Sequence, residues 1–242
     1  MRTPVPQRAV PHAPLATFQL RRGRVSASQA DALERLWPAY GLDVDGAPLD
    51  LAALFGRSAP VVLEVGSGMG EATAQAAAAD PDRDLLAVDV HTPGHGNLLK
   101  LAEAAGLSHV RVADGDARVL LADMLGPGVL DEVRVWFPDP WPKARHAKRR
   151  LLTPAFLALV ASRLRPGGLL HVATDWQPYA AQVAAGLAEA PHLEVESTQR
   201  PASRPLTRFE RQGQAAGRAA WDLLARATPA SGAAPSPAPP GS

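Results

Sequence analysis

The run Val61-Val62-Leu63-Glu64-Val65 passes directly into Gly66-Ser67-Gly68-Met69-Gly70, and few folds accommodate that junction. Five residues rich in β-branching read as a strand buried on both faces. The glycines after them read as a turn that needs positive φ or a close backbone approach. Residues 71–79 then have a helical composition, which would put a helix N-terminus with free N–H groups beside the turn. The same alternation continues along the chain. Strands are expected at 84–90, 110–113, 130–137, 169–174 and 193–197, and helices at 94–105, 116–125, 154–164 and 179–189. Residues 219–226 are open between a helix, which propensity favours, and a last strand. Continuous apolar strands alternating with helices predict an α/β fold with a mostly parallel sheet covered on both faces. In such sheets ligands meet the carboxyl ends of the strands.

Composition narrows the function classes. The chain has 242 residues, enough for one sizeable core, and no cysteine, which excludes disulfides, thiolate metal sites and cysteine nucleophiles. A net charge of +1 means that any nucleic acid must be met by a local patch. No apolar stretch reaches membrane-spanning length, and a cytoplasmic protein without membrane contact is expected, as a monomer or homodimer. Residues 1–16 are rich in Pro and Ala, and residues 228–242 consist almost entirely of Pro, Ala, Gly and Ser; both are expected to be disordered tails. Between them, 17–55 reads as an N-terminal extension and 56–227 as the catalytic domain.

Four acids fall at or just after expected strand ends: Glu64, Asp89, Asp116 and Asp139. An acid at the end of a second strand, 19 residues past Gly70, commonly holds ribose hydroxyls. The glycine spacing G-x-G-x-G, with Gly66 and Gly68, departs from the dinucleotide pattern G-x-G-x-x-G. Four carboxylates in one crevice suit a ligand with hydroxyls, an amino group or positive charge better than a pyrophosphate. No tight His/Asp/Glu cluster has metal-ligand spacing, so no metal is expected.

Residues 137–150 read Phe-Pro-Asp-Pro-Trp-Pro-Lys-Ala-Arg-His-Ala-Lys-Arg-Arg. Pro138 and Pro140 hold Asp139 in a stiff backbone. Lys143, Arg145, Lys148, Arg149 and Arg150, with His146 among them, follow without an intervening acid. A basic run at a crevice mouth suits an anionic polymer. Arg21, Arg22 and Arg24 form a second patch, and Arg200, Arg204, Arg208, Arg211 and Arg218 a third. Thr174-Asp175-Trp176 ends the fifth expected strand, where Asp175 could cap the next helix. Thr207-Arg208-Phe209-Glu210 is expected in a polar connection, with Phe209 as a possible core anchor.

These segments together resemble the bacterial tRNA (guanine-N7-)-methyltransferase family over roughly residues 18–226. The most specific are the Pro-Asp-Pro-Trp-x-Lys-x-Arg-His-x-Lys-Arg-Arg run, Ala-Thr-Asp-Trp-x-x-Tyr-Ala at 173–180, and Thr-x-Phe-Glu at 207–210. The resemblance implies a Rossmann-like class I methyltransferase fold with a mostly parallel seven-stranded sheet. It also implies S-adenosylmethionine as cofactor and N7 of guanine 46 in the tRNA variable loop as acceptor. Glu64, Gly66, Gly68, Asp89, Asp116 and Asp139 match cofactor positions, and Asp139 also the catalytic one. Lys143, Asp175, Thr207, Arg208, Phe209 and Glu210 match substrate positions, and Arg145, His146, Lys148, Arg149 and Arg150 the RNA-contacting segment. Two departures stand out: Asp89 replaces the usual Glu, and Gln212 replaces a usual cation. Guanine N7 carries a free lone pair, so Asp139 is expected to orient the base and balance developing charge rather than to act as a base. Rival readings are a small-molecule methyltransferase, an NAD-dependent oxidoreductase and a non-catalytic RNA-binding module.

Overall fold

A computed structural model describes residues 17–18 and 23–229. The tail at 1–16, all but Thr228 and Pro229 of the tail at 228–242, and Arg21 and Arg22 lie outside the described residues. In chain order the elements are α1 (Ala27–Tyr40), β1 (Gly41–Asp43), α2 (Leu51–Phe55), β2 (Val61–Val65), α3 (Glu71–Ala78), β3 (Asp84–Asp89), α4 (Thr92–Ala104) and β4 (Val110–Asp114). There follow α5 (Ala117–Val119), running on as a π-helical turn Leu120–Met124, then β5 (Leu130–Trp136), α6 (Pro154–Arg163), β6 (Leu164–Thr174), α7 (Gln177–Glu189), β7 (Leu193–Ser197), α8 (Arg208–Ala215) and β8 (Trp221–Ala227).

The strands form one sheet in the order β1-β4-β3-β2-β5-β6-β8-β7. All neighbours are parallel except β8, which is antiparallel to both β6 and β7. The expectation of seven strands is thus one short. The extra strand comes from the N-terminal extension, where Gly41–Asp43 pairs with Val112–Asp114 at the edge; three residues are too few to carry a legible strand pattern. Of residues 219–226, those from Trp221 onward form a strand, β8, and Ala219 and Ala220 lie outside any element. The alanines of the segment favour a helix, but the slot between β6 and β7 supplies backbone partners on both sides, and pairing outweighs propensity there.

The two faces of the sheet are packed differently. Leu63, Val88, Val133, Val135 and Val172 face the side covered by α6 and α7, where Phe156, Leu157, Tyr179 and Val183 meet them. Leu85, Ala87, Val110 and Val112 face α1 and α4 through Ala32, Leu98 and Leu99. The order of successive strands reverses at β2, with β3 and β4 on one side and β5 and β6 on the other, so a crevice opens at its carboxyl end.

The glycine turn beyond β2 has positive φ at Gly66, Gly68 and Gly70 (87°, 58° and 81°), conformations that residues with a Cβ rarely adopt. Helix α4 packs against it so closely that a Cβ on Gly94 would lie 1.8 Å from the Gly68 carbonyl oxygen. Gly96 makes a similar approach to α1, 2.8 Å from the Gln29 carbonyl. Gly94→Ala should therefore force α4 off the turn and cost about 1–3 kcal/mol, read as a lower urea midpoint at unchanged slope. Gly106→Ala, at positive φ but with open space around it, separates backbone strain from the clash at Gly94.

Candidate functional site

A cavity of about 390 Å³ opens at the carboxyl ends of β2, β3, β4 and β5. Its wall brings together Glu64, Gly66, Gly68, Asp89, Asp116 and Asp139, with Thr207, Arg208 and Phe209 on the opposite side. Glu64 sits inside β2 and is 3% exposed. Its Oε1 accepts a hydrogen bond from the Thr73 hydroxyl at 2.7 Å, while Oε2 is buried without a partner. Burial pushes this carboxyl well above the usual carboxylate range, only partly offset by the Thr73 hydrogen bond and the Arg134 charge. Asp89 is held by three backbone donors: Gly68 N at 2.8 Å, Val90 N at 2.7 Å and His91 N at 3.1 Å. The shorter side chain at this position is thereby bound directly to the glycine turn. Asp116 caps α5 through Arg118 N at 2.9 Å and takes the Arg118 guanidinium at 2.6 Å.

Asp139 lies in a strained stretch of backbone. Phe137 and Trp141, two residues to either side, have φ of 54° and 43°, a region that costs a non-glycine residue about 1–3 kcal/mol. The strand ladder holds one end, with Phe137 N donating to Ala173 O at 2.7 Å. The buried Trp141 holds the other, its indole N–H donating to Thr17 O at 3.2 Å.

The cavity is also lined by Phe18, Glu71, His91, Trp136 and Leu151, none of which the sequence singled out. Glu71 carried a signal, since an acid in the first turn after a glycine loop suits the helix dipole. Besides Glu64 Oε2, the buried Ser67 Oγ, His91 Nδ1 and Trp136 Nε1 lack partners, and all belong to residues lining the cavity. Buried polar atoms in native proteins are overwhelmingly paired, so this concentration marks a wall shaped for a polar ligand.

The substrate-matched residues separate into two groups. Lys143, Arg145 and Lys148 are exposed on and around a 3₁₀ turn, Ala144–Arg149, that follows the Asp139 segment. Arg149 stacks on Trp141 with its guanidinium carbon 4.6 Å from the ring centroid. His146 meets the same ring edge-on at 5.7 Å, and slight burial with the charges of Arg145, Arg149 and Lys143 lowers its pKa. Arg150, by contrast, is buried.

Residues 207–210 are not a polar connection: Thr207 accepts a hydrogen bond from Glu210 N at 3.0 Å and caps α8. Thr-x-x-Glu is a helix-start signature, so this helix was legible. Phe209 is no core anchor; it is 42% exposed, and its ring reaches over Gly68, where a Cβ would lie 3.9 Å from Cε2. Glu210 is buried and takes the Arg204 guanidinium at 2.7 and 2.9 Å and Arg200 at 3.1 Å. Asp175 does not cap α7, whose N-cap is Trp176. It accepts from Arg218 Nε at 2.8 Å and packs against Gly213 of α8.

Comparison with known proteins decides the family. A family model described as "Putative methyltransferase" matches residues 58–223. The tRNA (guanine-N(7)-)-methyltransferase of Streptomyces avermitilis is 60% identical over 219 residues, 88% of this chain and 75% of that protein. The protein of the same name from Nitrosospira multiformis is 51% identical over 89% of this chain and 96% of its own length.

The chain belongs to the tRNA (guanine-N7-)-methyltransferase family.

Solved structures extend the likeness of fold beyond this family. The 16S rRNA methyltransferase KamB superposes with a TM-score of 0.54 at 21% identity, covering 89% of this chain and 99% of KamB. The [4+2]-cyclase SpnF does so with a TM-score of 0.51 at 17% identity, over 89% and 98%. A cyclase on this scaffold shows that the fold alone does not dictate the chemistry.

Within this member of the family, Arg204 is the buried link between α8 and β8. It is 2% exposed and joins Glu210 to Asp222 of β8, which it meets at 3.1 Å. Asp222 also bonds the His171 ring at 2.8 Å. Burial would raise the Asp222 pKa, but the His171 hydrogen bond and the Arg204 charge outweigh it and hold the carboxyl low. Arg204→Met should strip the shared guanidinium from two buried carboxylates, leaving Glu210 only Arg200 and Asp222 only His171, and cost about 3–5 kcal/mol by urea denaturation. Lys148→Ala, on the surface, should stay within about 0.5 kcal/mol of the parent.

Proposed function

We propose that this chain transfers a methyl group from S-adenosylmethionine to N7 of guanine in tRNA, at position 46 of the variable loop. The observation that carries the reading is the meeting, in one cavity, of the glycine turn, the buried Glu64 with an open carboxylate oxygen, and the braced Asp139. A cationic, exposed rim adjoins it.

The chain's own groups fit the cofactor. The open Oε2 of Glu64 suits an ammonium group, and Asp89, fixed by backbone donors, keeps lone pairs for hydroxyls. Asp116 and the unpartnered Ser67 Oγ complete a polar cradle. S-adenosylmethionine supplies a methyl group on a sulfonium, already activated for a neutral nucleophile. Because guanine N7 needs no deprotonation, the protein's share is placement and electrostatics. Asp139 accepts from the N–H edge of the guanine and balances the positive charge the purine gains. Lys143, Arg145 and Lys148 bind backbone phosphates, and such contacts set affinity and register without reading sequence.

The test is incubation with labelled S-adenosylmethionine and unmodified tRNA, followed by chemical cleavage at 7-methylguanosine. Cleavage at position 46 is expected; label entering a tRNA that lacks this guanine, or a small molecule after RNase treatment, overturns the reading. Asp139→Ala should lower turnover about 10²–10³-fold with tRNA binding kept.

Glu64 predicts a pH dependence of a definite sign. Burial raises its pKa in the free cavity above 4.5, and an adjacent ammonium group stabilises the carboxylate and lowers it again. Cofactor binding therefore releases a proton between the bound and free pKa values, and affinity rises with pH across that window. Calorimetry of S-adenosylhomocysteine across a pH series, in two buffers of different ionisation enthalpy, should detect that proton within the window, and Glu64→Gln should abolish it.

A further inference from the structure

The last cation of the basic run is not placed as its neighbours are. Arg150 is 9% exposed, and its guanidinium is turned inward against the backbone that follows Asp139. Nε donates to Pro140 O at 2.8 Å and Nη2 approaches Trp141 O at 3.5 Å. Nη1 donates to Gln182 Oε1 of α7 at 2.5 Å. The guanidinium carbon lies 5.1 Å from the ring centroid of Tyr179, also on α7. Tyr179 is fully buried, and its hydroxyl accepts from Leu152 N at 3.0 Å, two residues beyond Arg150. One helix therefore grips both the side chain of Arg150 and the chain just after it.

These contacts bear on the strained end of the Asp139 segment. Trp141 is held at positive φ, a conformation that persists only where the surroundings over-determine it. A planar fork with donors on several edges can reach two adjacent carbonyls and an amide at once; a lysine ammonium cannot reproduce that spread.

We propose that Arg150 is a positioning residue, not an RNA contact: it clamps the Pro140 and Trp141 carbonyls to α7 and so fixes where Asp139 stands. Gln182 and Tyr179 are the fixed side of the clamp. Phosphate binding is left to the exposed Lys143, Arg145 and Lys148, with Arg149 spread over Trp141. This rests on the reading of Asp139 as the group that meets the guanine.

The experiment separates charge from fork. Turnover at saturating tRNA, tRNA affinity and the salt dependence of that affinity are measured for Arg150→Lys, Arg150→Gln and Gln182→Leu, with Lys148→Ala for comparison. Arg150→Lys keeps the charge, so a phosphate contact would survive it and a clamp would not. For both Arg150 variants kcat should fall about 10²-fold, the scale expected when a reacting group is displaced by about an ångström, with tRNA affinity and salt slope as in the parent. Gln182→Leu changes no cation and should lower kcat about 10-fold, a partial loss of the same placement effect. Lys148→Ala should weaken tRNA binding and reduce the salt slope by about 1. Full activity in Arg150→Lys, or a reduced salt slope with kept kcat in Arg150→Gln, overturns the clamp. Should Arg150→Gln fail to fold, Gln182→Leu decides: an unchanged kcat there also overturns it. Asp139→Ala measured in parallel keeps the two readings distinct, since activity surviving that change overturns the role of Asp139 whatever Arg150 does.

Discussion

Buried charge organises this sheet. Ala87, Glu64, Arg134 and His171 stand in register across β3, β2, β5 and β6, and on the side of β2 away from α1 the row is polar. Arg134 bonds Glu132 at 2.7 Å, Glu132 takes Arg83 at 2.6 Å, and Arg134 also lies 5.2 Å from the Trp136 ring centroid. His171 meets Trp136 edge-on at 5.5 Å and passes by way of Asp222 to Arg204 and Glu210. Charges out of water must be paired at good geometry or they cost several kcal/mol each, so the bonded pairs Arg134–Glu132, His171–Asp222 and Asp222–Arg204 fix one another's positions. Glu64 at one end opens onto the cavity beside the glycine turn and Glu210 at the other anchors α8. The two halves of the site are thereby referred to one rigid frame.

The motifs at 137–150, 173–180 and 207–210 look independent in the sequence and are mechanically joined in the structure. Gln182 and Tyr179 of α7 hold the segment after Asp139. Asp175 at the start of the same motif region holds Arg218, just past α8. Arg204, which precedes the third motif, lies 5.5 Å from the Phe137 ring centroid at the start of the first. Residue types that pattern-matching assigns to substrate are thus divided between those reaching the solvent rim and those that hold the rim in place.

That division marks the limit of what the sequence could tell. The alternation of strands and helices, the glycine turn and the acids at strand ends were legible because each depends on local chemistry: period, φ requirement and chain direction. The last strand was not, since its alanine-rich residues form a strand only once β6 and β7 present free edges. Nor was the inward turn of Arg150 and Glu210. A charge run reads as a solvated face, and nothing in its composition reports that one member is 9% exposed. The start of α8 was legible through its Thr-x-x-Glu signature, but Glu210 spends its carboxylate on Arg204 rather than on the helix, so the motif carries two meanings and only one is local.

The groups with displaced pKa values at this site bear on what kind of catalysis it can perform. Glu64 is pushed up by burial, Tyr179 is pushed up to about 12 by burial, and Asp222 is held low by His171 and Arg204. Glu64 lines the cavity beside the glycine turn, while Tyr179 and Asp222 lie behind the wall and support it. Around Asp139 the protein concentrates conformational restraint: two prolines, two residues at positive φ, a ladder hydrogen bond on one side and an arginine fork on the other. An enzyme that must abstract a proton needs a side chain placed to take it. A methyl transfer to an unprotonated ring nitrogen has no such step, and its barrier responds to alignment and to the field at the purine. Restraint at Asp139 is the arrangement that such a reaction requires.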